Sequence, residues 1–436
     1  MNKKLGLAVA GAVLAFSSAA QAGITIPAGD WTVDISGNVN AYYQNTRASG
    51  GTETIAGGVA TARDANGDKV ANGINTGLLP SWIGFSGKTR QNDLDVAFTI
   101  SFQPQVSDNG VTGDGAAGAS SNSQFLNRQT FVSFGDASWG SIKLGKDLGI
   151  FASDAILNDM TLLGVGAGSG ISGSAINTTI GGIGTGYIYA AWKGQIAYTT
   201  PNWNVIQATL AVTNPNQGFD AVNQDRLGVE GKASYSWTGD VSGKVWASFA
   251  SYDVTTAAAD AVTAQYGCGT TSVATCASGD VVTIRAASAP VPSQSYTARA
   301  YDLGANVNFG NVGLTGYYYT GKGAGTTLFC NLGADANGKT RDSRGGYIQA
   351  TYVIPTGTKL GASYGVSELD AKTTDVDADG NSLVEKNRRW TIGAYHPLTK
   401  SLNLVAEYND VKSEAQNSAV ADTKSKNVSL GAILFF

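Results

Sequence analysis

Residues 147–187 read DLGIFASDAILNDMTLLGVGAGSGISGSAINTTIGGIGTGY and lie between two strand-like segments. Connections longer than roughly 12–15 residues are usually functional or disordered. A disordered segment should be rich in charge and poor in large aliphatic residues. Between Phe151 and Tyr187 the only carboxylates are Asp154 and Asp159, and there is no Lys or Arg. Ile156, Leu157, Leu162, Leu163, Val165 and four further isoleucines are spread through the same stretch. The segment is therefore expected to fold against a surface, and the rest of the chain has to supply it.

Residues 31–44 show what that surface is made of. Trp31, Val33, Ile35, Val39, Ala41 and Tyr43 share one face, and Thr32, Asp34, Ser36, Asn38, Asn40 and Gln44 share the other. Side chains alternate in this way along a strand. One such segment suits a soluble half-buried sheet equally well, so the number of repeats decides. Comparable segments recur at 81–88, 94–103, 129–134, 141–145, 194–200, 205–212, 227–237 and 243–251. They continue at 296–309, 312–319, 347–354, 359–366, 389–395, 402–408 and 427–436. The total is about 16, an even number typical of bacterial membrane barrels.

The connections alternate in length. Short ones cover 87–93, 135–140, 200–204, 238–243, 308–313, 354–358 and 396–402. Long ones cover 45–79, 104–127, 147–187, 213–225, 253–295, 320–343, 367–388 and 410–426. Short periplasmic turns and long extracellular loops give this asymmetry, and a closed ring leaves no sheet edge facing lipid. The expected fold class is all-β, a transmembrane antiparallel β-barrel of about 16 strands. The third long loop, 147–187, is expected to fold into its lumen. Ser153 is placed to cap a short helix running to about Met160, with Asp154 at its positive end. Phe309, Tyr352, Tyr408 and Phe436 lie on apolar faces near strand ends and suit an aromatic girdle.

Residues 1–22 read as a secretory signal, with Lys3 and Lys4, an apolar run over 5–16 and Ala20-Gln21-Ala22 before the cleavage point. That run is too short to span a bilayer. The expected domains are a cleaved signal at 1–22 and a barrel at 23–436. The formal charge is −4, and it grows more negative once both signal lysines leave. That excludes a nucleic-acid binder driven by bulk charge. His396 is the only imidazole and sits in the turn-like HPLTK, which leaves little for a metalloenzyme or a His-based hydrolase. No catalytic residue, metal or cofactor is expected. Cys268 and Cys276 enclose a Gly/Ala/Thr/Ser-rich stretch that suits a local disulfide, leaving Cys330 over.

The segment FGDASWGSIKLGKDLG (134–149) runs a strand, a tight turn and an L-G-basic strand end straight into the long third loop. With the signal, the strand and loop rhythm and the final Phe436, it resembles the Gram-negative general porins, the trimeric 16-stranded diffusion channels. The resemblance covers the whole mature chain. It implies passive diffusion of ions and small hydrophilic solutes, a homotrimer, and an outer membrane with its lipids and lipopolysaccharide. It also implies that Phe436 is read by the barrel assembly machinery. The third loop would narrow the lumen, its acids facing basic wall residues.

By that resemblance, Lys146 matches the inward basic residue ending the fifth strand. Simple alternation from Ile142 and Leu144 instead turns Lys146 outward and Lys143 inward, unless Gly145 is bulged. Asp159 matches the first loop acid. The second falls at Leu163, with Asp154 as the nearest substitute. Trp82 stands where relatives often carry Arg. Lys88, Lys143, Lys193, Lys232, Arg389, Glu407, Glu230, Asp34 and Asp95 lie on polar strand faces and are candidates for lumen charge. The alternative function is a channel selective for a carboxylate, phosphate or sugar, the last favoured by an aromatic row of Trp82, Tyr187, Tyr189 and Tyr317. A surface adhesin using 253–295 or 320–343 is the third reading, and a barrel lipid hydrolase is disfavoured by the lone turn histidine.

Overall fold

The computed structural model describes residues 23–63, 67, 70–104, 125–167, 178–203, 205–214, 226–255, 265–268, 281–285, 293–377 and 379–436. The first strands are β1 (Ile24–Ala28), β2 (Trp31–Gly50), β3 (Val70–Asn75), β4 (Trp82–Gln91) and β5 (Leu94–Pro104). Next come β6 (Phe125–Asp136), β7 (Gly140–Leu148), β8 (Trp192–Thr199), β9 (Ile206–Thr213), β10 (Gly228–Trp237) and β11 (Val241–Thr255). A short hairpin, β12 (Gln265–Cys268) and β13 (Val281–Arg285), stands apart from the main sheet. The chain continues through β14 (Ser295–Phe309), β15 (Val312–Lys322), β16 (Asp342–Val353) and β17 (Lys359–Asp370). It ends with β18 (Val384–Pro397), β19 (Leu402–Ala415) and β20 (Thr423–Phe435).

Sixteen antiparallel strands, β2, β4–β11 and β14–β20, close into one barrel. Each pairs with its sequence neighbour in the wall, and β20 returns to β2, with Asn38 opposite Phe435 and Gly50 opposite Thr423. The strand β2 is the seam. Its first half pairs with β1 and β4, and its second half with β20 and β3. Thus β1 extends the line of β20. The join is made at Gly37, whose N–H donates to the Phe436 carbonyl at 2.8 Å and whose carbonyl accepts from Phe436 N–H at 3.0 Å. On the other side β3 and β4 run the same way along β2, separated by an inward jog at 76–81. No described helix is long and apolar enough to cross a membrane.

Alternation fixes the two faces. On β20 Val428, Leu430 and Leu434 are exposed outward while Ser425, Asn427 and Ser429 are buried inward. The same split holds on β14, with Tyr301 and Leu303 out and Ala298, Ala300 and Asp302 in. Such a continuous apolar exterior would be a liability in water and is what a lipid-facing wall requires. Phe309 and Tyr352 stand exposed on it near strand ends.

Candidate functional site

The long third loop lies inside the barrel. It leaves β7 through Gly149, whose N–H donates to the Ala191 carbonyl at 2.7 Å, so its entry and exit are tied together. Ala152 takes a left-handed φ of 59° and turns the chain into α1 (Ser153–Leu157). The expected helix to Met160 is split. Ser153 makes no cap; its hydroxyl donates back to the Ile150 carbonyl. The helix stops at Asn158, and a 3-10 turn, Met160–Leu163, follows. Asp159 caps that turn by accepting from Thr161 N–H at 2.9 Å. An acid at this position thus does structural work that the helical reading gave to Ser153.

Buried wall carboxylates dock the loop. Glu230 on β10 accepts from Ile150 N–H at 2.6 Å and Phe151 N–H at 3.1 Å, and Lys193 on β8 donates to its other oxygen at 2.6 Å. Asp302 on β14 accepts from Ala152 N–H at 3.2 Å and from the Tyr317 hydroxyl at 3.1 Å. Glu407 on β19 accepts from Val165 N–H at 2.9 Å, Gly166 N–H at 2.8 Å and the Tyr395 hydroxyl at 2.6 Å. A charged acceptor holding backbone donors in a low-dielectric site is roughly twice as strong as a neutral one. Between these posts Tyr347 donates to the Ala155 carbonyl, and Gln349 bridges Met160 N–H and the Asn158 carbonyl. Arg389 on β18 lies 3.7 Å from Asp159, which also accepts from the Tyr187 hydroxyl at 2.8 Å.

The loop reaches the far side of the lumen. Tyr42 on β2 donates to the Leu163 carbonyl at 2.8 Å. The jog at 76–81 meets it there, with Leu78 N–H on the Gly164 carbonyl and Leu79 N–H on the Leu162 carbonyl. Two more segments fold inward over it. Phe329, after β15, packs edge-on against Phe151 and Tyr252 at 5.6 and 4.9 Å between ring centres. Tyr189 N–H donates to the Thr327 carbonyl at 2.9 Å. Val59, after β2, bonds through its N–H to Ser413 and Asn387.

The structure sorts the sequence candidates into three groups. Asp154, Asp159, Lys193, Arg389 and Glu407 are brought together with the loop and buried. Asp154 is held by Lys232 at 2.8 Å and by Lys244. Burial opposes its ionisation, but the two ammonium groups outweigh that and hold its carboxyl below the usual range. Lys143 points inward and pairs with Asp147, while Lys88 pairs with Asp34 at 3.5 Å near the short-turn end. Trp82 is inward and partly open, and Leu163 is partly buried at the loop tip. Lys146 stands elsewhere. It is exposed on the same face as Ile142 and Leu144, its Nζ on the Asn127 carbonyl at 2.9 Å. The pairing of β7 with β6 runs unbroken through Gly145, which takes a φ of 130° without a bulge. Alternation therefore decides, and the inward position drawn from the resemblance is corrected.

Tyr187, at the end of the loop, and Tyr317, on the wall, are buried and pack on Tyr347, so they offer no aromatic track to a solute. Cys276 and residues 1–22 lie outside the described residues, and Cys268 ends β12 with its side chain undescribed. Cys330 is free and buried. Sequence reasoning missed Asp302, Lys244, Tyr395 and Phe329. Asp302 and Tyr395 lie on inward faces, which alternation could have flagged. Nothing in the sequence marked Phe329.

Comparison with known proteins adds an independent finding. A family model described as Gram-negative porin matches residues 7–416. No curated protein matches the chain. Among solved structures, the outer membrane channel DcaP of Acinetobacter baumannii is similar at a TM-score of 0.61 and 15% identity, covering 94% of this chain and 99% of its own. OmpT of Vibrio cholerae is similar at 0.52 and 15%, covering 95% and 100%. Salmonella typhi OmpF is similar at 0.51 and 16%, covering 94% and 100%.

Proposed function

The chain belongs to the Gram-negative porins, which are outer-membrane channels for passive diffusion, and we propose that its solutes pass between the docked third loop and the wall of β4–β7. The channel function needs no chemical step, and the fold is that of a conduit. The observation that carries the proposed route is the docking itself. Glu230, Asp302, Glu407 and Arg389 fasten the loop along the opposite wall. Trp82, Gln129, Phe131 and Lys143 on the other side stay partly open to water. Ions and small hydrophilic solutes then meet a polar passage whose width is set by the loop.

Further parts of the reading are proposals of the same kind. The protein is a homotrimer, an arrangement supported by the trimer form of Vibrio cholerae OmpT, whose structure is similar at a TM-score of 0.50. Residues 1–22 are a signal removed after Ala22, a reading supported by Lys3, Lys4, the short apolar run over 5–16 and Ala20-Gln21-Ala22. Phe436 serves the barrel assembly machinery, and the charged outer rim contacts lipopolysaccharide. Purified protein in a planar bilayer should give stepwise conductance in triplets. Single steps would remove the trimer, and absence of conductance at every voltage would remove the channel.

A further inference from the structure

The charges of the lumen nearly balance in number but not in exposure. Apart from Asp34 and Asp95 near the short turns, which pair with Lys88 and Arg90, the described carboxylates on its inner wall and third loop are Asp147, Asp154, Asp159, Glu230, Asp302 and Glu407. Asp154 is 5% exposed at the side chain, Asp159 and Glu230 are 1%, and Asp147 is 12%. Asp302 and Glu407 are 6% and 3% exposed. Four of the six are acceptors for loop backbone N–H groups or caps within the loop. They are spent on fastening the loop and are turned away from the water.

Lys193 and Arg389 are buried with these acids, at 6% and 2%, but the other lumen lysines are not. Lys143, Lys232 and Lys244 are 28%, 20% and 32% exposed at the side chain. Lys232 and Lys244 share one partner, Asp154, so that cluster carries one uncompensated positive charge. Lys359 at the start of β17 adds another. It lies over the Tyr395 ring at 5.1 Å and has no carboxylate in ion-pair range among the described residues. At the short-turn rim Lys88 and Arg90 are matched by Asp34, Asp95 and Asp136. The bias therefore belongs to the wall formed by β7, β10, β11 and β17. Lys143 and Lys244 each stand three positions in from the strand ends at Gly140 and Val241, on the periplasmic side of the loop.

We propose that this lumen prefers anions, with Lys232 and Lys244 as its main selectivity residues, Lys143 and Lys359 supporting them, and small inorganic and carboxylate anions as its favoured solutes. The proposal rests on the channel reading above. One uncompensated charge at about 5 Å in a water-like dielectric biases local ion concentration about fourfold. The preference is accordingly modest and is screened by salt. Chloride and succinate should both outrun potassium.

The test is the reversal potential of the reconstituted full-length trimer across a planar bilayer, in a potassium chloride gradient and then in a potassium succinate gradient at low ionic strength. A shift toward the anion equilibrium potential is expected in both. No conductance would defeat the channel reading, whereas conductance with zero or cation-directed reversal would defeat only the anion proposal. Replacing both Lys232→Gln and Lys244→Gln leaves Asp154 alone and should turn the preference toward potassium. Asp154→Asn should do the reverse and strengthen the anion preference by roughly the same factor. The two variants loosen the same contact but move the potential in opposite directions, which a purely structural role cannot do. Lys322→Gln, on the exposed rim, should leave it unchanged. Equal reversal potentials in all four proteins would overturn the assignment.

Discussion

The inner wall has two halves built from the same alternating pattern and put to different uses. From β10 round to β2 the inward side chains that meet the third loop are mostly buried and hold it, with Lys232 and Lys244 left partly open on its periplasmic side. On β4–β7 the bulky inward side chains Trp82, Phe131, Gln129 and Lys143 keep contact with water. A polar residue in an alternating strand thus states only that it faces inward. Whether it lines a passage or fastens a loop depends on what lies across the lumen. The docking contacts of the first half determine how wide the channel is, and the second half, together with Lys232 and Lys244, presents the surface a solute meets. Perturbing the first should change stability and conductance together. Perturbing the second should change conductance or selectivity with the fold left intact.

The largest effect is expected from Asp159→Ala. Arg389 is 2% exposed and would lose its carboxylate partner. Breaking one side of a buried pair typically costs about 3–5 kcal/mol. The Tyr187 hydroxyl and Thr161 N–H would also lose their acceptor. The heat-resistant folded band on gel electrophoresis should melt at a clearly lower temperature and single-channel conductance should rise. An unchanged melting point would show that the loop is held without this contact.

Gly164→Ala comes next. A Cβ there would lie 2.0 Å from Glu407 Oε1. Glu407 cannot retreat without releasing Val165, Gly166 and Tyr395. Either the loop tip or the carboxylate must move, and leaving buried donors unpaired costs about 1–3 kcal/mol. Larger and noisier conductance steps are expected. Trp82→Ala probes the open half. Its ring covers Gly84 and docks no part of the loop among the described contacts. Conductance should increase with a stability loss of no more than about 1–2 kcal/mol. A loss as large as that of Asp159→Ala would erase the distinction between the halves.

This division explains what could be read in advance. All sixteen wall strands were visible as alternation, because period and face are local properties of the chain. The short strands β1 and β3 were not, since ITIPA carries a proline and VANGIN has no apolar alternation. The inward direction of Glu407, Glu230, Lys193 and Arg389 was equally legible. Their docking role was not, because Glu407 meets a loop 242 residues away in sequence and Asp302 one that is 150 away. No local pattern reports a contact made across a lumen. The break of the helix at Asn158 was hidden for a related reason: Asp159 competes as a cap for the following turn, and its neighbours on β16 and β18 settle the contest.

The smallest effect is expected at Lys146, and it sharpens the comparison at its edge. Lys143 and Lys146 are three residues apart on β7 and carry the same charge. Unbroken register through Gly145 puts Lys143 beside Asp147 in the lumen and Lys146 outside on Asn127. Lys143→Glu removes an accessible lumen cation and should move the reversal potential toward potassium. Lys146→Glu changes the formal charge by the same amount at nearly the same height, but separated from the lumen by the wall and exposed to solvent screening. Its reversal potential should match that of the parent protein. A shift equal to that of Lys143→Glu would require a bulge at Gly145, and with it a different set of side chains facing the solute.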